Sequence, residues 1–293
     1  MNITNRLGLP EALVAAVQND PYDPGDADIS ITRLLAPPKQ VALMKQHADE
    51  LTEDVADRIW ALRSQGLHCV LERAADENEL AEIRWNVTCL GWKVSGKLDL
   101  VTLKSGVLTD WKDTSVWSIK DALDPTTKGK VEWEQQVNLL AYFGKRNDHP
   151  IKAVQVVAFG RDWRKNEKLR FGDDYPDHEV SVIPLPLWST ERAQLFLEQR
   201  VTLHRQSQAG APPECTPEER WEQPTTYAVM SKGRKSATRL YQDRALAEQH
   251  AANQPNLEVK VRPGKSPRCQ QYCAAMPFCA QGQAIVAATQ DSA

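Results

Sequence analysis

Two strand-like segments that carry charge inside apolar flanks constrain this 293-residue chain more than any other feature. Lys93-Val-Ser-Gly-Lys-Leu-Asp-Leu-Val and Gly106-Val-Leu-Thr-Asp-Trp-Lys-Asp are joined through Lys104-Ser105-Gly106, the pattern of a β-hairpin. Strand side chains alternate between faces, so Asp110 and Lys112 share one face and Trp111 takes the other. Leu98, Leu100, Val101, Val107, Leu108 and Trp111 make the hairpin read as buried. Charge placed in such a hairpin is costly without a compensating role. Asp99 and Asp110 on neighbouring strands form a donor pair for a hard divalent cation, and the Trp111 carbonyl is free to join them. Lys112 beside them is placed to orient or deprotonate a water, as metal-assisted phosphodiester hydrolysis requires.

Around this hairpin the pattern alternates between helix and strand. The first stretch, to about Pro38, is rich in Asp, Pro and Asn, and Asn19-Asp-Pro-Tyr-Asp-Pro-Gly-Asp reads as loop. Ser30-Ile-Thr-Arg-Leu-Leu opens a short helix. Apolar residues from Val41 to Val70 recur at helical spacing, which predicts a helical run over 39–75 that Gly66 divides or loosens. Ile83-Arg-Trp-Asn-Val-Thr-Cys-Leu-Gly alternates as a strand. Downstream, Glu132 to Arg146 reads as an amphipathic helix and Ala153-Val-Gln-Val-Val-Ala-Phe as a strand. Val180-Ser-Val-Ile-Pro-Leu is another strand, and Ser189 suits the N-cap of a helix to about Ala209. Gly210-Ala-Pro-Pro is a linker. Beyond it, Thr226-Tyr-Ala-Val-Met and Ala237-Thr-Arg-Leu-Tyr flank Lys232-Gly-Arg-Lys as a second hairpin. A helix near 243–253 and a strand at 257–262 follow, with a frayed end over 289–293.

Gly96-x-x-Asp99, a turn, and Asp110-x-Lys112 together resemble the PD-(D/E)XK nucleases, and within them the RecB-type exonuclease branch. That branch has an upstream helix with a Gly-x-x-His-like signature followed by Glu, similar to Ser64-Gln-Gly66-Leu-His68-Cys-Val-Leu-Glu72 here. The resemblance makes His68 a further metal ligand, with Glu72, four residues on and on the same helix face, joining through water. The branch also has a Gln-bearing helix after the Asp-x-Lys strand, similar to Glu132-Trp-Glu-Gln-Gln-Val-Asn-Leu-Leu-Ala-Tyr-Phe. Gln136 matches its glutamine, with Gln135 as the alternative. The tyrosine expected four residues later is Leu140, and Tyr142 is displaced by two. The resemblance covers residues 30–160. It implies an α/β fold with a restriction-endonuclease-like core, a mixed β-sheet flanked by helices, and a cysteine-ligated C-terminal module. It also implies Mg²⁺ or Mn²⁺ as cofactor and DNA as substrate.

Six cysteines in a chain of this type read as ligands or buried thiols rather than disulfides. Cys269-x₃-Cys273-x₅-Cys279 offers three thiolates to one centre, and Cys215 is the fourth, with Cys69 as an alternative. Such a set suits Zn²⁺ or an iron–sulfur cluster. Members of the RecB-type branch carry a [4Fe–4S] cluster, so the resemblance favours that cluster, although the x₃ interval and a fourth cysteine beyond the core depart from the family pattern. Cys69 and Cys89 read as small buried hydrophobes.

Overall charge is −3, but residues 226–270 carry nine bases against three acids, whereas residues 1–57 carry ten acids against four bases. Lys232, Arg234, Lys235 and Arg239 on the second hairpin, with Tyr227 and Tyr241, fit a DNA-contacting surface. The hydrophobic and charged fractions of 41% and 26% are those of a globular chain. No run of 18 apolar residues exists, so no membrane span is expected. Met1–Pro10 lacks a secretory pattern, which makes the cytoplasm the expected location. The expected division is an N-terminal extension at 1–38, a nuclease core at 39–209, and a basic, cysteine-bearing module at 210–293. The expected activity is that of a DNA exonuclease in recombination or repair. The phage-like tail adds a single-strand annealing recombinase as a partner. Alternatives are a structure-specific endonuclease of the same superfamily and a non-catalytic DNA-binding accessory protein.

Overall fold

The computed structural model describes residues 2–19, 25–124, 129–252 and 254–290. The elements of the first half are β1 (Asn2–Thr4), α1 (Glu11–Gln18), β2 (Ile29–Ser30), α2 (Ile31–Leu35), α3 (Pro38–Gln46), β3 (Thr52–Asp54), α4 (Val55–Ala74), β4 (Glu79–Ala81), β5 (Arg84–Cys89), β6 (Trp92–Lys97), β7 (Leu100–Thr102) and β8 (Val107–Thr114). There follow α5 (Val116–Leu123), α6 (Val131–Arg146), β9 (Ala153–Gly160), α7 (Lys165–Phe171), β10 (Val180–Leu185), α8 (Thr190–Gln208), β11 (Thr226–Ser231), β12 (Arg239–Tyr241), α9 (Arg244–Ala252), β13 (Leu257–Arg262) and α10 (Ala280–Gln290). Among the described residues no helix is long and apolar enough to cross a membrane.

The chain divides into two units. The first comprises residues 1–36 and 52–209. Its main sheet has five strands in the order β10-β9-β8-β7-β4, with β8 and β9 parallel and the other pairs antiparallel. A parallel neighbour requires a crossover, and α5 and α6 supply it between β8 and β9. A second sheet, β2-β6-β5, continues from the first because β4 runs into β5 and β6 into β7. The α6 helix buries Val137, Leu139, Leu140 and Phe143 in one core with Val94, Leu98, Leu108 and Val156 of the strands. The architecture is therefore mixed α/β, with helices flanking mixed sheets.

Residues 1–36 are part of this unit rather than a separate extension. Strand β2 pairs with β6, and Ile29, Ile31 and Leu34 lie in the shared core. The helical run expected over 39–75 is two helices. The α3 helix ends near His47, and α4 restarts at Asp54, whose carboxylate accepts the Ala56 N–H at 3.1 Å as an N-cap. Gly66 does not interrupt α4. The expected loop at 19–26 lies partly outside the described residues, as do residues 291–293 of the expected frayed end. Thr289 and Gln290 close α10.

The second unit comprises residues 37–51 and 210–293. The α3 helix belongs here, where Lys39 pairs with Glu214 at 2.6 Å and His47 stacks on Phe278 with centroids 4.0 Å apart. Its sheet, β12-β11-β13, is antiparallel throughout, and α9 covers one face through Ala247 against Val229 and Leu257.

Candidate active site

Strand register builds the site. Leu90 and Gly91, both at positive φ, form the two-residue turn that pairs Cys89 with Trp92. The same register continues from β5–β6 into β4–β7, past the point where the chain passes from one sheet to the other. Glu82 and Asp99 face each other there, with the Glu82 N–H donating to the Asp99 carbonyl at 3.1 Å. On the other side of Asp99, the β7–β8 register pairs Leu100 with Thr109 and so brings Asp110 abreast of Asp99. Glu82, Asp99 and Asp110 thus form one acidic row across three adjacent strand segments.

The row is buried and partly compensated. Asp99 Oδ2 accepts the Trp111 N–H at 2.7 Å. His68 on α4 meets the row from the side, its Nδ1 lying 2.9 Å from Glu82 Oε1 and 3.5 Å from Asp99 Oδ1. Lys97 ion-pairs with Glu82. Asp110 is only 1% exposed. Its Oδ1 accepts from Gln136 Nε2 at 2.9 Å, and Gln136 Oε1 accepts from Lys112 Nζ at 3.0 Å. Lys112 Nζ lies 2.8 Å from Asp110 Oδ2, yet that oxygen accepts no hydrogen bond of regular geometry. Asp110, Lys112 and Gln136 therefore form a closed triangle between β8 and α6.

Electrostatics follow from this crowding. Burial, then the neighbouring Asp110 carboxylate, pushes Asp99 up to about 7. The Glu82 hydrogen bond raises His68, against the opposing effect of burial. Glu82 is held below the usual carboxylate range: burial alone would raise it, but His68 and Lys97 outweigh that. Burial and the crowding of carboxylates thus set the charge balance of the site, and these oxygens are of a kind that could hold a divalent cation. One ligand atom each from His68, Glu82 and Asp99 lies within 4.8 Å of the others. Asp110, in register beside Asp99, adds another carboxylate to this group, and such oxygen donors could hold a hard cation.

Of the expected site residues, His68, Asp99, Asp110, Lys112 and Gln136 come together. Glu72 does not join them. It is exposed in the last turn of α4, one turn beyond His68, and Glu82 supplies the carboxylate that meets the histidine. Of the two glutamines, Gln136 makes the contact. Tyr142 is buried in the core and adds nothing to the site. The Trp111 ring points to the other face, against Phe159.

In the second unit, Cys215, Cys269, Cys273 and Cys279 line one pocket together with Arg220 and Arg268. Gln281 fastens Cys215, accepting from its N–H at 2.9 Å and donating to its carbonyl at 3.0 Å. Burial pushes the Cys215 thiol up to about 12, with Glu219 and the other three thiols adding to it. Burial also raises Cys269 and Cys273. The four thiols share one pocket, although among the described residues no three of their sulfurs lie within 4.8 Å of one another. Cys69 is exposed on α4 and Cys89 is buried in the first unit's core, so neither belongs to the set.

Lys232, Arg234, Lys235 and Arg239 are exposed on and beside the β11–β12 turn. Lys232 Nζ donates to the Pro255 carbonyl at 3.0 Å, and Arg239 lies over the Tyr241 ring. Tyr227 and Tyr241 pack toward α9, and Tyr241 Oη hydrogen-bonds with His250 Nδ1 at 2.9 Å. The hairpin is therefore basic, but its tyrosines are committed to packing.

No family model matches the sequence, and no curated protein matches it. Among solved structures, the chain is similar to SSO0001, with a TM-score of 0.43 and 15% identity over 66% of this chain and 84% of that one. It is also similar to a candidate exonuclease from Eubacterium rectale, with a TM-score of 0.32 and 10% identity over 58% of this chain and 62% of that one.

Proposed function

We propose that this chain is a divalent-metal-dependent deoxyribonuclease of the PD-(D/E)XK type, acting as an exonuclease on DNA ends in recombination or repair. The observation that carries the reading is the acidic row Glu82, Asp99 and Asp110 closed by Lys112 and Gln136. Asp99, Asp110, His68, Glu82 and the Trp111 carbonyl would hold Mg²⁺ or Mn²⁺. When bound, such a cation stabilises charge on the phosphate and acidifies a water. Lys112 Nζ positions that water and offsets the charge that develops on the phosphoryl oxygens. Gln136 locks both Lys112 and Asp110, so that the ammonium stays aimed beside the second carboxylate oxygen of Asp110. Cys215, Cys269, Cys273 and Cys279 would hold a [4Fe–4S] cluster, Zn²⁺ being the alternative. The basic β11–β12 turn would contact DNA phosphates. A single-strand annealing recombinase is the partner that suits such an activity.

Linear and circular forms of one DNA, each incubated with Mn²⁺ and the protein, test the reading. Progressive loss of the linear form with persistence of the circle is expected. Cleavage of the circle would point to an endonuclease, and no cleavage of either would contradict nuclease function.

A further inference from the structure

The C-terminal end of β8, next to the acidic row, carries an unusual surface. Trp117 follows β8 within the first turn of α5 and is 65% exposed; Trp60 on α4 is 62% exposed. Arg63 lies one helical turn after Trp60, and its Nη2 is 3.7 Å from Asp113 Oδ1 on β8. From the other side, Arg161 Nη1 donates to the Asp113 carbonyl at 3.4 Å. Lys120 Nζ lies 5.5 Å from the centroid of the Trp117 ring. Asp113 is thus met by two exposed guanidinium groups, with Trp60 one helical turn before Arg63 and Trp117 four residues after Asp113.

We propose that Trp60 and Trp117 are nucleobase-stacking platforms and that, with Arg63 and Arg161, they hold single-stranded DNA as it enters the site. Arg63 lies five residues before His68 on α4, about 7–8 Å along the helix axis, so the rim begins within a nucleotide or two of the acidic row. Indole faces accept any base, and guanidinium groups track the phosphates between successive bases. A duplex keeps its bases stacked on one another and offers these rings only a terminal pair. The rim therefore selects single strands or frayed ends. Lys120, on the Trp117 ring, strengthens this platform by a cation–π contact and adds positive charge beside the path.

This inference deepens the nuclease reading and rests on it for its purpose, but its test needs no cleavage. Binding of a fluorescein-labelled oligo-dT and of a labelled blunt duplex is measured by anisotropy in EDTA, with the full chain. The wild type is expected to favour oligo-dT. Trp60→Ala and Trp117→Ala each weaken that binding about tenfold and leave duplex binding nearly unchanged. Trp60→Phe and Trp117→Phe retain most of it. Thermal melting of every variant guards against misfolding. Equal affinity of the wild type for both DNAs would overturn the proposal, as would wild-type binding by the alanine variants or phenylalanine variants as weak as the alanine ones. If strand binding follows the expected pattern but Mn²⁺ elicits no cleavage, the stacking rim stands and the nuclease reading falls.

Discussion

Glu82 sits directly across the antiparallel ladder from Asp99, its backbone N–H donating to the Asp99 carbonyl while its carboxylate takes His68 Nδ1 at 2.9 Å. It does so at φ 54°, in the left-handed region, at the point where the chain leaves one sheet for the other. Strain of that kind persists where the surroundings hold it in place. Glu82 therefore orients His68 and adds charge to the site proposed for the cation. Glu82→Gln is expected to weaken Mn²⁺ affinity about 10- to 100-fold by isothermal titration, with the circular dichroism spectrum unchanged. Wild-type affinity would mean that the histidine needs no partner.

A second expectation concerns acid stability. The Asp54 carboxylate is held down to about 2, first by the Arg6 backbone N–H at 2.8 Å and also by Thr4 Oγ1 and the Ala56 N–H. A depressed carboxylate contributes stability that is present above the unfolded value near 3.8 and is lost as pH falls toward 2. Asp54→Asn is expected to melt below the wild type at pH 6, and the gap should close between pH 4 and pH 2. A gap independent of pH would assign the effect to packing instead.

Gly96 is fixed by space, not by turn geometry. A Cβ there would lie 2.5 Å from Ile31 Cδ1 and 2.8 Å from Leu140 Cδ2, two side chains of the main core. Gly96→Ala is expected to cost about 1–3 kcal/mol in urea unfolding, the usual range for overpacking. It should lower the unfolding midpoint without changing the slope.

Iron and labile sulfide should accompany the protein through anaerobic purification. Cys215→Ser, Cys269→Ser, Cys273→Ser and Cys279→Ser should each reduce both. Cys69→Ser and Cys89→Ser should reduce neither, since neither thiol is among the residues lining the pocket of the other four. Stoichiometric zinc without sulfide would select the other thiolate centre.

How far the site can be read from the sequence depends on period and register. Asp99, Asp110 and Lys112 are legible because a two-residue period in a buried hairpin marks charge as out of place. Gln136 is legible only through the family resemblance, since nothing in its helix distinguishes it from Gln135. Glu82 falls between two strand patterns and belongs to no motif. The signal that finds it is Leu90-Gly91: taken as a two-residue turn, it fixes a register that runs outward to Glu82 opposite Asp99. Glu72 misleads because residues four apart do share a helix face, but the second lies a turn farther along and misses the row. The break between α3 and α4 escapes because periodicity alone cannot weigh a cap such as Asp54 against the apolar spacing on both sides. The placement of residues 37–51 with the cysteine-bearing unit depends on contacts such as Lys39 with Glu214, which no local pattern encodes.

The most direct measurement is Mn²⁺-dependent release of nucleotides from end-labelled linear DNA by the wild type, Asp110→Asn and Lys112→Met, with folding matched by circular dichroism. Wild-type release, with loss of about two or more orders of magnitude in both variants, is the result expected of a metal-holding acid and a water-positioning lysine. Release at the wild-type rate by both variants would contradict the assignment of catalysis to the Asp110, Lys112 and Gln136 triangle.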